Sequence, residues 1–463
     1  MYLPPPLSIH QNTLCIEKIP ITSLVKKFGT PIYVYSESRI RENFRRIAGA
    51  FKKFYKNFEI LYAVKANNNP EIAKILVSEG AGMDVCNPAE IWLANKLGIQ
   101  SSKILYTGNY CTDEELKYGA KYCERINLDD VALLPRLLKF KKPELLSFRI
   151  NPGVGEASIK TNVFAGPEAK FGIPIEHALA AYAAAKKAGL KRFGMHMMTG
   201  SCLLKPDYFE KITGILLDAA GMIAKKLNVH FEFIDIGGGF GIPYTPEEKL
   251  LDIEKTASMV TDIFQKKCAM YGLKNVRLTI EPGRYLVGDS GVLLGKVQMI
   301  KKGYQTFAGT DVTINHLVRP KMYGAYHHVV VANKFRQPSR FPINICGSIC
   351  DSGDILAKVR PLPRVAEGDI LVFCNAGAYG FSMSSQYNSR PRAREILVKE
   401  NNSAIIREAE ETKDLFLRCK KAAWLTSRPK RSVGPSHQVP GGLSFRPKRS
   451  VGPSHQVPGG LSL

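Results

Sequence analysis

The sequence predicts an α/β protein: a parallel (β/α)8 barrel of the TIM type with a second, β-rich domain. Three observations predict it. Eight short apolar segments recur between residues 60 and 280, each followed by a loop rich in Gly, Asn, Asp or Pro. Helix-like stretches stand between them, and such alternation builds a parallel sheet rather than a helical bundle. After Gly283 the texture changes to closely spaced β-type segments. The 463 residues leave room for a barrel of about 250 residues beside a smaller domain.

Taken in order, residues 32–35 read as a strand and the charged stretch 37–54 as a helix. The apolar strand 60–64 then delivers Lys65 at its C-terminal end. Helix 70–79, strand 83–85 and helix 89–97 continue the alternation. Strands at 103–106, 125–128, 145–150, 192–196, 231–236 and 277–280 complete the barrel set. Beyond it, β segments at 291–299, 328–331, 371–373 and 395–398 form the second domain, joined by the strand that precedes the barrel. The expected organisation is therefore 1–44 contributing to the β domain, 45–285 the barrel, 286–427 the β-rich domain, and 428–463 a tail. That tail repeats seventeen residues, RPKRSVGPSHQVPGGLS, at 428–444 and 446–462. Rich in Pro, Gly and positive charge and devoid of acid, it is expected to be a disordered extension, with a partner-binding or targeting role as the alternative.

A formal net charge of +24 is compatible with nucleic acid, an anionic membrane or anionic small molecules. No zinc-finger spacing, glycine-rich RNA motif or aromatic and basic stripe accompanies it, so no specific nucleic-acid partner and no metal are expected. The ten cysteines form no CxxC pair or dense disulfide pattern, which favours free thiols in a reducing compartment. With no signal-like segment and no apolar run long enough to span a bilayer, the expectation is a cytoplasmic protein without a membrane partner.

Three segments carry candidate chemistry. Lys65, in YAVKANNNP, follows an apolar strand, where its amine would emerge at the catalytic face of a barrel and could condense with an aldehyde; a solvated surface lysine is the alternative. In FIDIGGGFG, Gly237, Gly238 and Gly239 offer backbone donors suited to a phosphate, although a plain tight turn reads the same way and no Walker motif is present. In EPGRY, Glu281 could hold a protonated pyridine nitrogen and Arg284 could bind a carboxylate or phosphate, unless the two simply pair with each other.

Together with GMDVCNPAE around Asp84, KFG at 170–172, RPKMYGAYH, CDSGD and GAYG, these motifs run in order from about residue 24 to 397. The chain resembles the diaminopimelate decarboxylases, within the alanine-racemase-like pyridoxal phosphate enzymes that include the ornithine decarboxylases. The resemblance implies a pyridoxal 5′-phosphate-dependent amino-acid decarboxylase. It implies that Lys65 binds the cofactor aldehyde, that Glu281 faces the pyridine nitrogen, and that Asp84 orients the lysine or its hydrogen-bond network, a structural cap being the alternative. Gly237, Gly238, Gly239, Ser201 and Tyr379 match the phosphate surroundings, with Gly283 and Arg284 close by. Arg284, Arg319, Tyr323 and Tyr379 fall at substrate positions, the arginines and Tyr323 toward a remote carboxylate; pairing with a protein carboxylate is the alternative for Arg319. Cys350 matches the thiol that donates a proton from the neighbouring subunit, and Asp351 would face the remote amine. A homodimer with shared active sites follows from the same resemblance.

Two departures stand out. Where the family presents His-x-His-x-Gly-Ser, this chain has HMMTGS, so Met198 occupies the position of a histidine that stacks on the cofactor ring. Its polarizable sulfur could pack there instead. Asp351 replaces the glutamate usual in diaminopimelate decarboxylases and matches the ornithine relatives. The leading expectation is decarboxylation of meso-diaminopimelate to L-lysine. Decarboxylation of ornithine, lysine or another amino acid, and a non-catalytic regulator, are the alternatives.

Overall fold

The computed structural model of the chain describes residues 2–158 and 163–422, so the basic repeat at 428–463 lies outside the described residues. Eight parallel strands close a barrel: Phe58–Ala63, Gly82–Val85, Ile104–Gly108, Arg125–Leu128, Leu145–Asn151, Phe193–Met197, Phe231–Asp235 and Arg277–Ile280, the last pairing back onto the first. All eight coincide with predicted strands. Their side chains are buried almost throughout, as parallel strands covered by helices require; Leu145–Asn151 is buried at every position.

The connecting helices start where short polar side chains can cap them. Asn69 and Asn87 accept the first free N–H groups of Pro70–Ser78 and Pro88–Lys96, each with proline at the first helical position. Thr112 and Glu115 form a reciprocal capping box at the head of Asp113–Tyr122. Two longer helices, Pro206–Leu227 and Ile253–Tyr271, pack against one another outside the strands.

Several strand limits differ by one or two residues from the sequence reading, and three of these have a local reason. The first strand stops at Ala63 and Val64–Ala66 forms a 3-10 turn, because the Ala66 carbonyl accepts the Tyr379 N–H (2.8 Å) rather than a ladder bond. Lys103 belongs to the turn Ser101–Lys103. Arg192 stays outside its strand, paired with Glu232 at 2.6 Å on the lower rim.

The second sheet is built on Gly291–Lys302. Its first half pairs with Ile32–Ser36 on one side and Ile370–Phe373 on the other, and its second half with Thr306–Thr310. Ile32–Ser36 also runs parallel to Arg394–Lys399, so a strand from before the barrel sits between two from after it. Its alternation divides two cores: Tyr33 and Tyr35 face the large core that includes the barrel, while Ile32 and Val34 face a smaller one with Leu14, Ile16 and Val372. Residues up to Phe416 form one compact unit. Among the described residues no helix is long and apolar enough to cross a membrane, and all ten cysteines are free thiols.

Candidate active site

A cavity of about 230 Å³ opens at the C-terminal ends of the barrel strands, where a parallel barrel places its loops. Lys65 reaches it from the turn after the first strand, and its Nζ donates to Oδ2 of Asp84 on the second. Asp84 is 1% exposed. Burial opposes the lysine's charge, but the neighbouring Asp84 raises its pKa well above the ordinary value. The GAYG segment of the β-rich sheet clamps this turn. The Asn67 amide donates to the Gly377 carbonyl at 3.0 Å, and Ser382 Oγ joins Tyr379 N on the Ala66 carbonyl. Gly377 must be glycine, since a Cβ there would lie 1.9 Å from the Val287 carbonyl oxygen.

At the floor, Glu281 follows the last strand and meets His196 Nε2 at 3.2 Å, with Asp235 completing a buried cluster whose ligating atoms all lie within 4.8 Å. Burial would raise the Glu281 carboxyl, yet His196 and Lys65 hold it down at about 2. Asp235 moves the other way, well above the carboxylate range, through burial and the adjacent Glu281 charge. Glu281 Oε1 and Asp235 Oδ2 have no protein hydrogen-bond donor.

The glycine turn is organised differently from the sequence reading. Of its three glycines only Gly239 lines the cavity. The Gly237 N–H donates to Asp235 Oδ1 (2.8 Å) and the Gly238 N–H to the Met198 sulfur (3.2 Å), so both of those amides are engaged by the protein itself. Gly237 has φ +73°, and a Cβ on it would lie 2.3 Å from the Met197 carbonyl oxygen. Met198 lines the cavity at the position expected for the missing ring.

The opposite wall is cationic. Arg284 donates to Tyr244 Oη (2.6 Å) and reaches Ser201 Oγ (3.4 Å), with its guanidinium over the Tyr379 ring. Arg319, 2% exposed, lies over Tyr244 and meets His327 Nε2 at 2.9 Å. Among the described residues neither arginine has a carboxylate within 4.0 Å, so neither the Glu281–Arg284 pair nor a carboxylate partner for Arg319 forms. Gly283, Tyr323 and Tyr379 line the same cavity. Cys350 and Asp351 do not: Cys350 is exposed, and Asp351 pairs with Lys321 and accepts the Gly353 N–H.

Residues that the sequence reading left unassigned also line or support the site. Arg149, the one charged residue of the strand Leu145–Asn151, is buried under the ring of Phe171. That mismatch of charge and pattern was a usable signal; Asp235 in FIDIGGG was another. Tyr244 gave none, because Tyr is ordinary in half-buried loops; His327 closes the RPKMYGAYH motif but was given no role.

The pyridoxal binding domain of pyridoxal-dependent decarboxylases matches residues 37–288. Diaminopimelate decarboxylase from Methanothermobacter thermautotrophicus is 44% identical over 394 residues, covering 85% of this chain and 92% of the relative. The Archaeoglobus fulgidus diaminopimelate decarboxylase is 36% identical, covering 90% and 99%. A crystal structure of the M. jannaschii diaminopimelate decarboxylase in complex with L-lysine superposes with TM-score 0.84 at 30% identity, over 90% of this chain and 98% of that one. Likeness of this extent, over both the barrel and the β-rich sheet, means that the chain belongs to the diaminopimelate decarboxylase family of pyridoxal-phosphate-dependent enzymes.

Proposed function

We propose that this protein removes carbon dioxide from meso-diaminopimelate to give L-lysine, as a cytoplasmic homodimer with shared active sites. The observation that carries the reading is the pair of buried arginines, Arg284 and Arg319, facing one cavity without a carboxylate partner among the described residues. A buried cation without its counterion is unfavourable, so such a wall calls for anions brought by ligands. Cofactor phosphate and a remote substrate carboxylate supply two. Asp351 gives little help to a purely cationic substrate end, because Lys321 already engages it and lowers its pKa.

The cofactor of the family is pyridoxal 5′-phosphate, and the residues fit it. The unpartnered Glu281 Oε1 is an acceptor for a pyridine N–H, and Gly239, Ser201 and Arg284 offer phosphate contacts. When bound, pyridoxal phosphate supplies a conjugated cation that takes up the electron pair left by departing carbon dioxide. Glu281, held ionised, keeps a proton on the ring nitrogen. Lys65 is the amine that joins the aldehyde, and Asp84 fixes its Nζ at the strand end. Met198, whose sulfur accepts the Gly238 N–H, would border the ring in the cavity. Arg319 and Tyr323 hold the remote carboxylate, while Tyr379 borders both phosphate and substrate. Cys350 and Asp351 enter from a second copy of the chain, the thiol returning a proton to the carbon that lost its carboxylate. The working division is a barrel at 45–285, a β-rich domain formed by 286–427 with the first 44 residues, and a dispensable tail.

The test is carbon dioxide release from meso-diaminopimelate, L-lysine and L-ornithine by the purified protein with pyridoxal phosphate. Meso-diaminopimelate should give the highest kcat/KM. Equal or better use of ornithine or lysine overturns the reading.

A further inference from the structure

The guanidinium of Arg319 is among the most buried charges of the protein, yet what holds it is a neutral ring. Arg319 opens the short helix Arg319–Tyr323, and its cation lies 4.6 Å above the Tyr244 ring. At one end, Nη1 meets Nε2 of His327 at 2.9 Å. His327 is itself 1% exposed, and its Nδ1 lies 2.8 Å from the Cys374 carbonyl oxygen. A carbonyl only accepts, so Nδ1 carries the ring's hydrogen and Nε2 is left as an acceptor for the arginine. The edge of Tyr244 packs against the same imidazole, with ring centroids 5.5 Å apart and planes at 84°. Burial, then the Arg319 charge, push the His327 pKa down to about 3, so the ring stays neutral beside the cation.

A carboxylate at this place would orient Arg319 equally well but would cancel its charge before any ligand arrived. An imidazole fixed in one tautomer orients the guanidinium and leaves the full charge for the cavity. We infer that His327 is a specificity-determining positioning residue: it holds Arg319 through a neutral Nε2 acceptor so that the unneutralised guanidinium takes the remote anionic group of the substrate. The inference rests on the substrate reading above and extends it to a residue that touches neither substrate nor cofactor.

The test compares His327→Leu, His327→Gln and His327→Glu in the full-length holoenzyme. KM and kcat are measured for meso-diaminopimelate, together with inhibition by 1,5-diaminopentane, which has an amine at each end and no carboxylate, and the absorbance of bound cofactor. His327→Leu removes one hydrogen bond to a charged group and should raise KM about tenfold to a hundredfold. Its kcat should stay within about threefold, and cofactor absorbance and 1,5-diaminopentane inhibition should be retained. His327→Gln, which keeps an acceptor, should recover most of the loss. His327→Glu, which orients Arg319 but neutralises it, should raise KM at least as far as His327→Leu. If His327→Leu does not fold, His327→Gln and His327→Glu carry the comparison, and equal KM in those two overturns the inference. An unchanged KM in His327→Leu overturns it, as does an equal loss of 1,5-diaminopentane inhibition. Failure of the wild-type protein to turn over meso-diaminopimelate strikes the substrate reading; wild-type turnover with His327→Leu indistinguishable from it strikes this inference alone.

Discussion

The two ends of the cavity handle buried charge in opposite ways. At the floor, Glu281, Asp235 and His196 compensate one another: one carboxyl is held near pKa 2, its neighbour is pushed well upward, and the imidazole bridges to the ionised one. At the opposite wall, Arg284 and Arg319 are held by hydroxyl, phenol and imidazole groups, with no carboxylate among the described residues. The acidic end is thus a closed set that presents one defined acceptor, and the cationic end is an open set that lacks its anions. The first arrangement tunes a cofactor, whereas the second selects what enters.

The acidic end should be the more sensitive to removal of charge. Glu281→Gln keeps the shape but loses the anion, and kcat should fall about a hundredfold to a thousandfold while KM changes little. A steady-state comparison at saturating cofactor checks this; a change confined to a raised KM would place Glu281 with the substrate instead.

Asp235→Asn sharpens the same contrast with a smaller effect. Because Asp235 is pushed upward, its protonated form is the one the fold favours, so its stabilising contribution is present below the ordinary carboxylate pKa and is lost as pH rises through the folded value. The amide imitates the protonated acid. The Tm of Asp235→Asn should therefore equal or exceed that of the wild type at pH 7, with the gap closing toward pH 4, and kcat should fall by less than about tenfold. Thermal melts across that range check the sign, and a Tm lower at pH 7 than at pH 4 relative to wild type would contradict it.

The smallest effect is expected from charge remote in sequence. Removing residues 428–463, which carry lysine and arginine but no acid, lowers the net charge of +24 without touching the cavity arginines. If capture of the anionic substrate is local, kcat/KM should stay within about twofold at physiological salt, where charges beyond about 8 Å are largely screened. A larger loss would assign part of the substrate attraction to the tail.

Much of this fold was legible because the eight barrel strands are short, mostly apolar segments, each closed by a turn-rich loop. The second sheet was legible only in part. Phe341–Cys346 and Ile355–Leu362 contain Pro342 and Pro361, which argue against strands by composition. The two pair with each other, and Ile355–Leu362 forms an edge of the sheet, where proline is tolerated. At the site, Lys65, Glu281 and Arg284 were legible because each follows an apolar strand within an ordered series of motifs. The turning of Gly237 toward Asp235 and of Gly238 toward Met198 was not, since backbone direction depends on which strands are neighbours. The role of His327 was not legible for the same reason: it closes the RPKMYGAYH motif, but the Cys374 carbonyl that fixes its tautomer is brought to it by a separate segment.

The most direct test of the central claim, that an uncompensated arginine wall selects a substrate with a remote carboxylate, is the ratio of kcat/KM for meso-diaminopimelate to that for L-lysine in the wild type and in Arg319→Ala. Breaking a buried charged contact typically costs about 2 to 5 kcal/mol. The wild-type ratio should strongly favour meso-diaminopimelate, and Arg319→Ala should lower it about thirtyfold or more by weakening that substrate alone. An unchanged ratio, with both substrates weakened equally, would contradict the account.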